Sequence, residues 1–145
     1  MARVIAIDPG KSKCGLVLAE VNEKKVYQAI IIKSELLEKY VRNLNTVEDI
    51  SKIIIGNGTT SRWTINKLDF FNKEIITFEE KNTTFRAKER YFELFPINGL
   101  KFFVPKEVFI LNKNLDAISA LIILEDYCKI KFALNQNIDF KTWLK

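Results

Sequence analysis

The sequence has 145 residues and contains no histidine. This absence excludes catalytic triads of the Ser-His-Asp type, Cys-His nucleophile pairs and ribonuclease schemes that use paired histidines. It also excludes ordinary zinc sites, in which histidine is a common ligand. Any catalysis therefore has to rest on carboxylates, lysines, tyrosines or a hard metal ion held by oxygen ligands.

Cysteine is nearly absent as well. Cys14 and Cys128 are the only two, and they lack the CxxC spacing of redox and zinc motifs. We therefore expect both thiols to be reduced and buried. The sequence also has no apolar run long enough to span a membrane and no signal-peptide pattern at its N-terminus. These absences predict a cytoplasmic protein that has no membrane partner.

The composition is that of an ordinary globular protein, with 48% hydrophobic and 28% charged residues. The length predicts a single domain over residues 1–145. The formal net charge of +5 allows a polyanionic partner without requiring one.

Five apolar runs predict the strands of a central sheet. Three of them follow one another closely near the N-terminus, which is typical of an antiparallel meander. The two later runs alternate with helices, as parallel strands do. We therefore expect a mixed five-stranded sheet, a three-strand antiparallel meander followed by parallel strands, with helices on its faces. The runs are "RVIAID", "CGLVLAEV", "KVYQAIIIKS", "DISKIIIGNG" and "KEIITFEE".

Four further segments predict helices. We expect Ser34 to N-cap the first helix, and a second helix from about Ser61 to Phe71. Pro96 is expected to end the third helix. The fourth is apolar nearly all round, which predicts burial on most sides. The stretch "LKFFVPKEV" is interpreted as a loop. The first, third and fourth helical sequences are "SELLEKYVRNL", "TTFRAKERYFELF" and "LDAISALIILEDYC".

Carboxylates stand at three places where the apolar pattern does not favour them. Asp8 ends the first strand, Glu79 and Glu80 end the strand "IITFEE", and Asp116 lies in the first turn of the last helix. Open α/β sheets gather ligands at strand ends, so the first two groups can meet at one edge, and packing of the last helix there would point Asp116 at them. Carboxylates that meet in a buried place repel one another unless protons or divalent cations intervene. Two Mg²⁺ ions held this way can cleave a phosphodiester without histidine.

Each carboxylate also has an ordinary structural interpretation. Asp8 before Pro9 and Gly10 can be the first residue of a turn. Glu80 can be a solvated strand end, with Glu79 on the opposite face. Asp116 can simply complement the dipole of its helix. The metal hypothesis depends on the three groups being together.

Two glycine-bearing turns flank this predicted centre. One carries Lys11 and Lys13. The other is "GNGTTSR", where glycine lets backbone N–H groups approach a phosphate and a helix follows. Ordinary tight turns explain the same glycines. The candidate phosphate-binding residues in the second turn are Gly56, Gly58, Thr59 and Arg62.

The third helix carries Arg86 and Arg90 one turn apart on one face, with Lys88 near its edge, and this face can contact a nucleic-acid backbone. A solvated face with Glu89 and Glu93 as ion-pair partners is the alternative. The phenylalanines are interpreted as core packing rather than as stacking platforms, and Trp63 and Trp143 receive no role. The phenylalanines considered are Phe70, Phe71, Phe85, Phe92, Phe95, Phe102 and Phe103.

Four stretches, in this order and spacing, resemble the YqgF/RuvX family: "IAIDPGKSKCGLVLAE", "IIIGNGTTSR", "FEEKNTTFRAKERYF" and "LDAISALIILEDY". Members of that family are pre-16S rRNA processing nucleases, also described as Holliday-junction-resolvase-like, with an RNase H-like fold. The resemblance implies a nuclease that uses Mg²⁺ or Mn²⁺, with two ions held by Asp8, Glu80 and Asp116. It implies pre-rRNA or branched DNA as partner and a monomer or homodimer. Residues expected to hold substrate phosphates are Lys11, Lys13, Lys81, Thr83, Thr84 and Arg86.

The sequence departs from the family pattern at several positions. Glu79 and Lys81 stand where the family motif has Asp and Arg, so Glu79 is the reserve metal ligand. Ser119 stands where RuvC-type resolvases have a further Asp, which favours RNA processing over junction resolution. A Holliday-junction-type resolvase and a catalytically weak nucleic-acid-binding module are the alternatives. An actin-like kinase is disfavoured because the chain lacks the second domain and phosphate loop of that fold.

Overall fold

The computed structural model describes residues 3–79, 83–96 and 115–135. Six strands and four α-helices lie in these ranges, with a 3₁₀ turn at Ser34–Leu36. The strands are β1 Arg3–Asp8, β2 Lys13–Glu20, β3 Lys25–Lys33, β4 Ile50–Gly56, β5 Glu74–Phe78 and β6 Ala133–Leu134. The helices are α1 Leu37–Val47, α2 Ser61–Lys67, α3 Thr83–Leu94 and α4 Asp116–Cys128.

The strands form one mixed sheet in the order β5-β4-β1-β2-β3-β6. Strands β1, β2 and β3 pair antiparallel, whereas β4 pairs parallel with β1 and β5 pairs parallel with β4. This is the predicted meander followed by parallel strands, so the mixed α/β architecture expected of an RNase H-like fold is confirmed. The sheet has one strand more than predicted, because two-residue β6 pairs with β3 and is too short to leave a periodic pattern.

The sheet is covered on both faces. On one face, Leu37 and Val41 of α1 and Leu68, which directly follows α2, pack in one core cluster with Ile5 and Ile7 of β1. The opposite layer packs α4 against the alternate residues of the same strands, which include Val4, Ala6 and Val17, and α3 lies against α4. The central strands read as continuous apolar runs because both of their faces are buried. All residues of α4 from Ala117 to Glu125 are buried, as predicted.

Ser34 does not N-cap a helix. Its side chain is buried and its hydroxyl donates to the Gly10 carbonyl at 2.7 Å, while its backbone N–H donates to Ser12 at 2.9 Å. The prediction was wrong because a long-range partner in the β1–β2 turn takes the hydroxyl. Ser34 therefore fixes that turn against the end of β3.

Two elements end earlier than predicted. Helix α2 ends at Lys67 rather than Phe71, and β5 ends at Phe78 rather than at Glu80. The segment "LKFFVPKEV" lies outside the described residues. Cys14 and Cys128 are both free thiols, the first buried and the second half-buried. Within the described ranges, no helix has the length and apolar character needed to cross a membrane.

Candidate metal and phosphate site

Four strands bring their carboxyl ends to one edge of the sheet. Strands β1, β3, β4 and β5 run in the same direction, so Asp8, Lys33, Gly56 and Phe78 all lie at this edge. The β1–β2 turn, with exposed Lys11 and Lys13, belongs to it too. Helices α1, α2 and α3 begin beyond the ends of β3, β4 and β5, and their N-termini favour negatively charged ligands. We call this region the Asp8 edge.

The first turn of α4 lies against β2 at the Asp8 edge. Gly15 pairs with Asp8 across β1 and β2. A Cβ atom added to Gly15 would lie 1.9 Å from the backbone carbonyl oxygen of Asp116, so only glycine permits this approach. The contact brings the start of α4 next to Asp8, as the convergence of strand ends predicted. The "KCGLV" stretch contained the signal for this close packing, but sequence reasoning gave Gly15 no role.

Asp8 has an unusual proton affinity. Burial, followed by the negative charge of Asp116, raises the pKa of Asp8 from 3.8 to about 7. Burial is also the main reason that the pKa of the neighbouring Cys14 thiol rises to about 12, with further contributions from the charges of Asp116 and Asp8. Negative charge is therefore costly here, and a bound cation would relieve that cost.

A cavity of about 60 Å³ opens beside Asp8. It brings four predicted site residues together, namely Asp8, Gly56, Gly58 and Thr83. A volume of this size holds about two water molecules, which suits a hydrated ion or one oxygen-bearing group. The complete lining is Asp8, Pro9, Gly56, Asn57, Gly58, Thr83 and Ile123.

The glycine loop after β4 forms one wall of this cavity. Gly56 packs closely there, because an added Cβ would lie 2.7 Å from the Ile123 methyl group, which would have to move to make room. Asn57 donates its backbone N–H to Phe78 at 2.9 Å, and Ser61 donates its hydroxyl to the Gly58 carbonyl at 2.8 Å. The loop is thus fixed to β5 on one side and to α2 on the other. Sequence reasoning missed Asn57, although it lies between the two selected glycines.

The remaining loop candidates lie on the outside. Thr59 and Arg62 are exposed beyond Gly58, and Thr84 is exposed in the first turn of α3, beside half-buried Thr83. Glu79 is also exposed, in the residue that follows β5.

Arg86 forms a two-pronged ion pair. Its guanidinium donates to the Asp126 carboxylate at 2.5 and 2.7 Å, and its side chain is 39% exposed. Its binding of phosphate stays a prediction, and a substrate would have to compete with Asp126. The partner is on α4 rather than among the acidic residues of α3 that sequence reasoning considered.

Arg90 points into the protein instead of towards a ligand. It is 9% exposed and donates to Glu125 at 3.0 and 2.8 Å and to the Phe132 carbonyl at 2.9 Å. Glu125 also accepts the backbone N–H of Phe132 at 2.8 Å. The hypothesis of a solvent-facing Arg86–Lys88–Arg90 surface is therefore wrong for Arg90, which instead joins α3 to α4. Phe85 is 64% exposed, so its assignment to the core was wrong too.

The predicted third metal ligand, Glu80, and the predicted phosphate ligand Lys81 lie outside the described residues. Within residues 3–79, 83–96 and 115–135, no group of three acidic, cysteine or histidine side chains is placed to hold a metal ion. Asp8 and Asp116 are both oxygen donors of the kind that Mg²⁺ and Mn²⁺ prefer. A bound cation would relieve the repulsion between the two carboxylates, so both are candidate metal ligands. Further ligands would be needed to complete the coordination of the ion.

No protein-family model matches the chain, and no curated protein sequence matches it significantly. Among solved structures, T. thermophilus RuvC in complex with a Holliday junction substrate is similar at 9% identity and a TM-score of 0.46, over 94% of this chain and 85% of that one. Another Thermus thermophilus RuvC structure has 11% identity and a TM-score of 0.48, over 93% and 84%. A ROK hexokinase from Thermus thermophilus has 11% identity and a TM-score of 0.42, over 62% and 37%. Likenesses at this level do not identify an activity.

Proposed function

We propose that this protein is a metal-dependent nuclease that hydrolyses phosphodiester bonds of structured nucleic acid. The observation that carries the proposal is the carboxylate pair at the Asp8 edge. The pKa of Asp8 is raised to about 7 because the side chain is largely withdrawn from water and lies near the charge of Asp116, a costly arrangement that a divalent cation would stabilise. A structural turn residue or a dipole-complementing Asp has no need of such an arrangement.

In this proposal Asp8, Glu80 and Asp116 hold Mg²⁺ or Mn²⁺, with Glu79 as the reserve for Glu80. Two ions bound there would activate water and stabilise the leaving oxygen. The protein itself supplies a shaped cavity, lined by Gly56 and Gly58, which have no side chain to fill it, and by Thr83, whose hydroxyl is a candidate phosphate ligand.

Exposed cations at the same edge would position the substrate backbone. Lys11 and Lys13 are exposed in and just after the turn that follows β1, and Arg62 is exposed in α2, which follows β4. Thr59, Thr84, Lys81 and Arg86 complete the proposed phosphate contacts. Such contacts fix the position of a nucleic acid without reading its sequence.

The resemblance to YqgF/RuvX proteins favours maturation of the 5′ end of pre-16S rRNA as the reaction. Ser119 is consistent with that choice, because it leaves α4 without the second acidic residue that RuvC-type resolvases carry there. We further propose a cytoplasmic protein that acts as one domain over residues 1–145, as a monomer or a homodimer.

The direct test is incubation of the purified protein with labelled precursor 16S rRNA fragments and with four-way DNA junctions, in Mg²⁺, Mn²⁺ or EDTA. Asp8→Asn is the test variant, and Asp69→Asn, at an exposed position in the connection that follows α2, is its matched control. We expect metal-dependent cleavage of RNA that Asp69→Asn retains and Asp8→Asn loses.

Other outcomes would replace this proposal. Cleavage confined to the junction would favour the Holliday-junction-type resolvase. Binding that is equal in wild type and Asp8→Asn, without cleavage in either metal, would favour the catalytically weak nucleic-acid-binding module.

A further inference from the structure

Three large hydrophobic side chains are exposed among the residues that the structure describes. They are Leu36, Trp63 and Phe85, at 47%, 42% and 64% exposure. Each follows the carboxyl end of a strand at the Asp8 edge: Leu36 follows β3, Trp63 follows β4 and Phe85 follows β5. Exposed apolar side chains scattered singly are ordinary, and Leu36 is interpreted in that way, but two exposed aromatic rings at the edge that holds the cavity point to a binding surface.

The two aromatic residues lie shortly after two of the segments that line the cavity. The glycine loop that contains Gly56 and Gly58 runs directly into the first turn of α2, which carries Trp63. Thr83, which also lines the cavity, opens α3, and Phe85 is two residues further along, about 3 Å along the helix axis. A chain bound at the cavity would therefore pass close to the start of both helices that carry an exposed aromatic side chain.

The charges around these rings indicate what they bind. Exposed Arg62 is adjacent to Trp63, and the Lys67 ammonium lies 5.5 Å from the centre of the Trp63 ring. Lys11 and Lys13 are exposed in the neighbouring turn. Aromatic faces interleaved with cations suit a polyanion whose bases are planar, because bases stack on the rings while phosphates meet the cations.

Bases inside a duplex cannot stack on protein rings, because their faces already stack on neighbouring base pairs. Single-stranded segments, loops and ends offer free faces. We propose that the site takes an unpaired stretch of nucleic acid, with Trp63 and Phe85 as the side chains on which bases stack on either side of the Asp8 cavity. This inference rests on the proposed nuclease function, and it specifies the form of the substrate.

Binding can be measured without cleavage. Trp143→Phe removes the only other tryptophan of the chain, so fluorescence then reports on Trp63 alone. In EDTA we expect a short oligouridylate to quench this fluorescence, and the same oligonucleotide paired with oligoadenylate to quench it much less. Affinities of the variants are measured by the anisotropy of a fluorescein-labelled oligouridylate in EDTA, because the Trp63 variants lack the tryptophan signal. Stacking supports a loss of about 5- to 150-fold in affinity for the single strand on Trp63→Ala or Phe85→Ala.

Leu36→Ala is the matched control, because Leu36 is equally exposed and apolar at the same edge but has no aromatic face. We expect it to change affinity by less than about twofold, within the range of ordinary surface substitutions. Trp63→Phe should retain most of the affinity. Circular dichroism melts of each variant check that folding is intact.

Equal quenching by single strand and duplex, or equal losses for Leu36→Ala and Trp63→Ala, would overturn the inference. Cleavage assays separate it from the proposed function. Single-strand stacking without metal-dependent cleavage would uphold the aromatic contacts and refute the nuclease. If Trp63→Ala and Phe85→Ala change neither cleavage nor affinity, the nuclease proposal would stand and the aromatic contacts would be refuted.

Discussion

Replacing Asp8 by Asn should stabilise the metal-free protein. The pKa of Asp8 in the folded chain is raised from 3.8 to about 7, so the folded state holds its proton more tightly than the unfolded chain does. Ionisation therefore costs stability. The cost is absent below about pH 4, grows as pH rises through the window between about 4 and 7, and is complete above about pH 7. Asn has the same shape and carries no charge at any pH.

The size of the effect follows from the pKa shift. Each unit is worth about 1.36 kcal/mol, which gives about 4 kcal/mol at most for the charged side chain above pH 7. Part of that cost is already present at pH 5, so the gain from Asp8→Asn should grow by about 1.5 to 2.5 kcal/mol between pH 5 and pH 8. Water reaches part of the side chain and keeps the measured gain below the maximum.

The assay is urea unfolding in EDTA, followed by circular dichroism at pH 5 and pH 8. Asp49→Asn is a matched control with the opposite sign, because Asp49 is exposed and its hydrogen bond to Lys73 lowers its pKa. We expect no gain from that variant at either pH. A variant Asp8→Asn that is less stable than wild type at pH 8, or whose gain does not grow with pH, would show that the Asp8 carboxylate is well compensated in the fold.

Three other perturbations test the site and its support. Millimolar Mg²⁺ should raise the melting temperature of wild type at pH 8 and leave that of Asp8→Asn unchanged; equal shifts would place the cation elsewhere. Gly15→Ala should lower the free energy of unfolding by about 1–3 kcal/mol or more, because the added methyl group meets the backbone of α4. Gly58→Ala should lower it by under about 1 kcal/mol, because nothing lies within 4 Å of the added carbon. Urea unfolding midpoints compare the two variants. Arg90→Met should lower the free energy of unfolding by about 3–5 kcal/mol, because it leaves the buried carboxylate of Glu125 without its ion-pair partner. Arg42→Met, which removes an exposed ion pair within α1, should lower it by under about 1 kcal/mol. Similar losses for the two arginine variants would mean that the α3–α4 contact does not depend on its buried charges.

Much of the fold was predictable because it follows from local pattern. The β-branched run around Ile5 and the run around Ile54 can only be buried strands, and the apolar α4 sequence can only be an interior helix. The meeting of Asp8 with Asp116 followed from the same logic, because strand ends and the helix start share an edge. These features depend on periodicity and chain order, which the sequence displays directly.

The errors share another cause, which is dependence on a distant partner. The buried face of α3 follows the helical spacing of Ala87, Arg90 and Tyr91, and Phe85 lies about 200° around the helix from Ala87. Residue chemistry suggested the opposite assignment for Phe85 and Arg90. Arg90 can be buried only because Glu125, 35 residues further along the chain, accepts two of its N–H groups. A single sequence does not reveal such a partner.

The contacts between α3 and α4 explain how a repulsive pair of carboxylates can be held in place. Thr83 at the start of α3 and Asp116 at the start of α4 both lie at the Asp8 edge, and the two helices are joined further along by Arg86–Asp126 and Arg90–Glu125. Gly15 then fixes α4 against β2 by backbone contact, which side-chain motion cannot relieve. The cost at Asp8 is therefore confined to one edge, while the rest of α4 is buried among apolar side chains that resist its movement. Rigid support of this kind is what a metal-binding carboxylate pair needs, since ligands that could relax apart would lose the geometry that selects the ion.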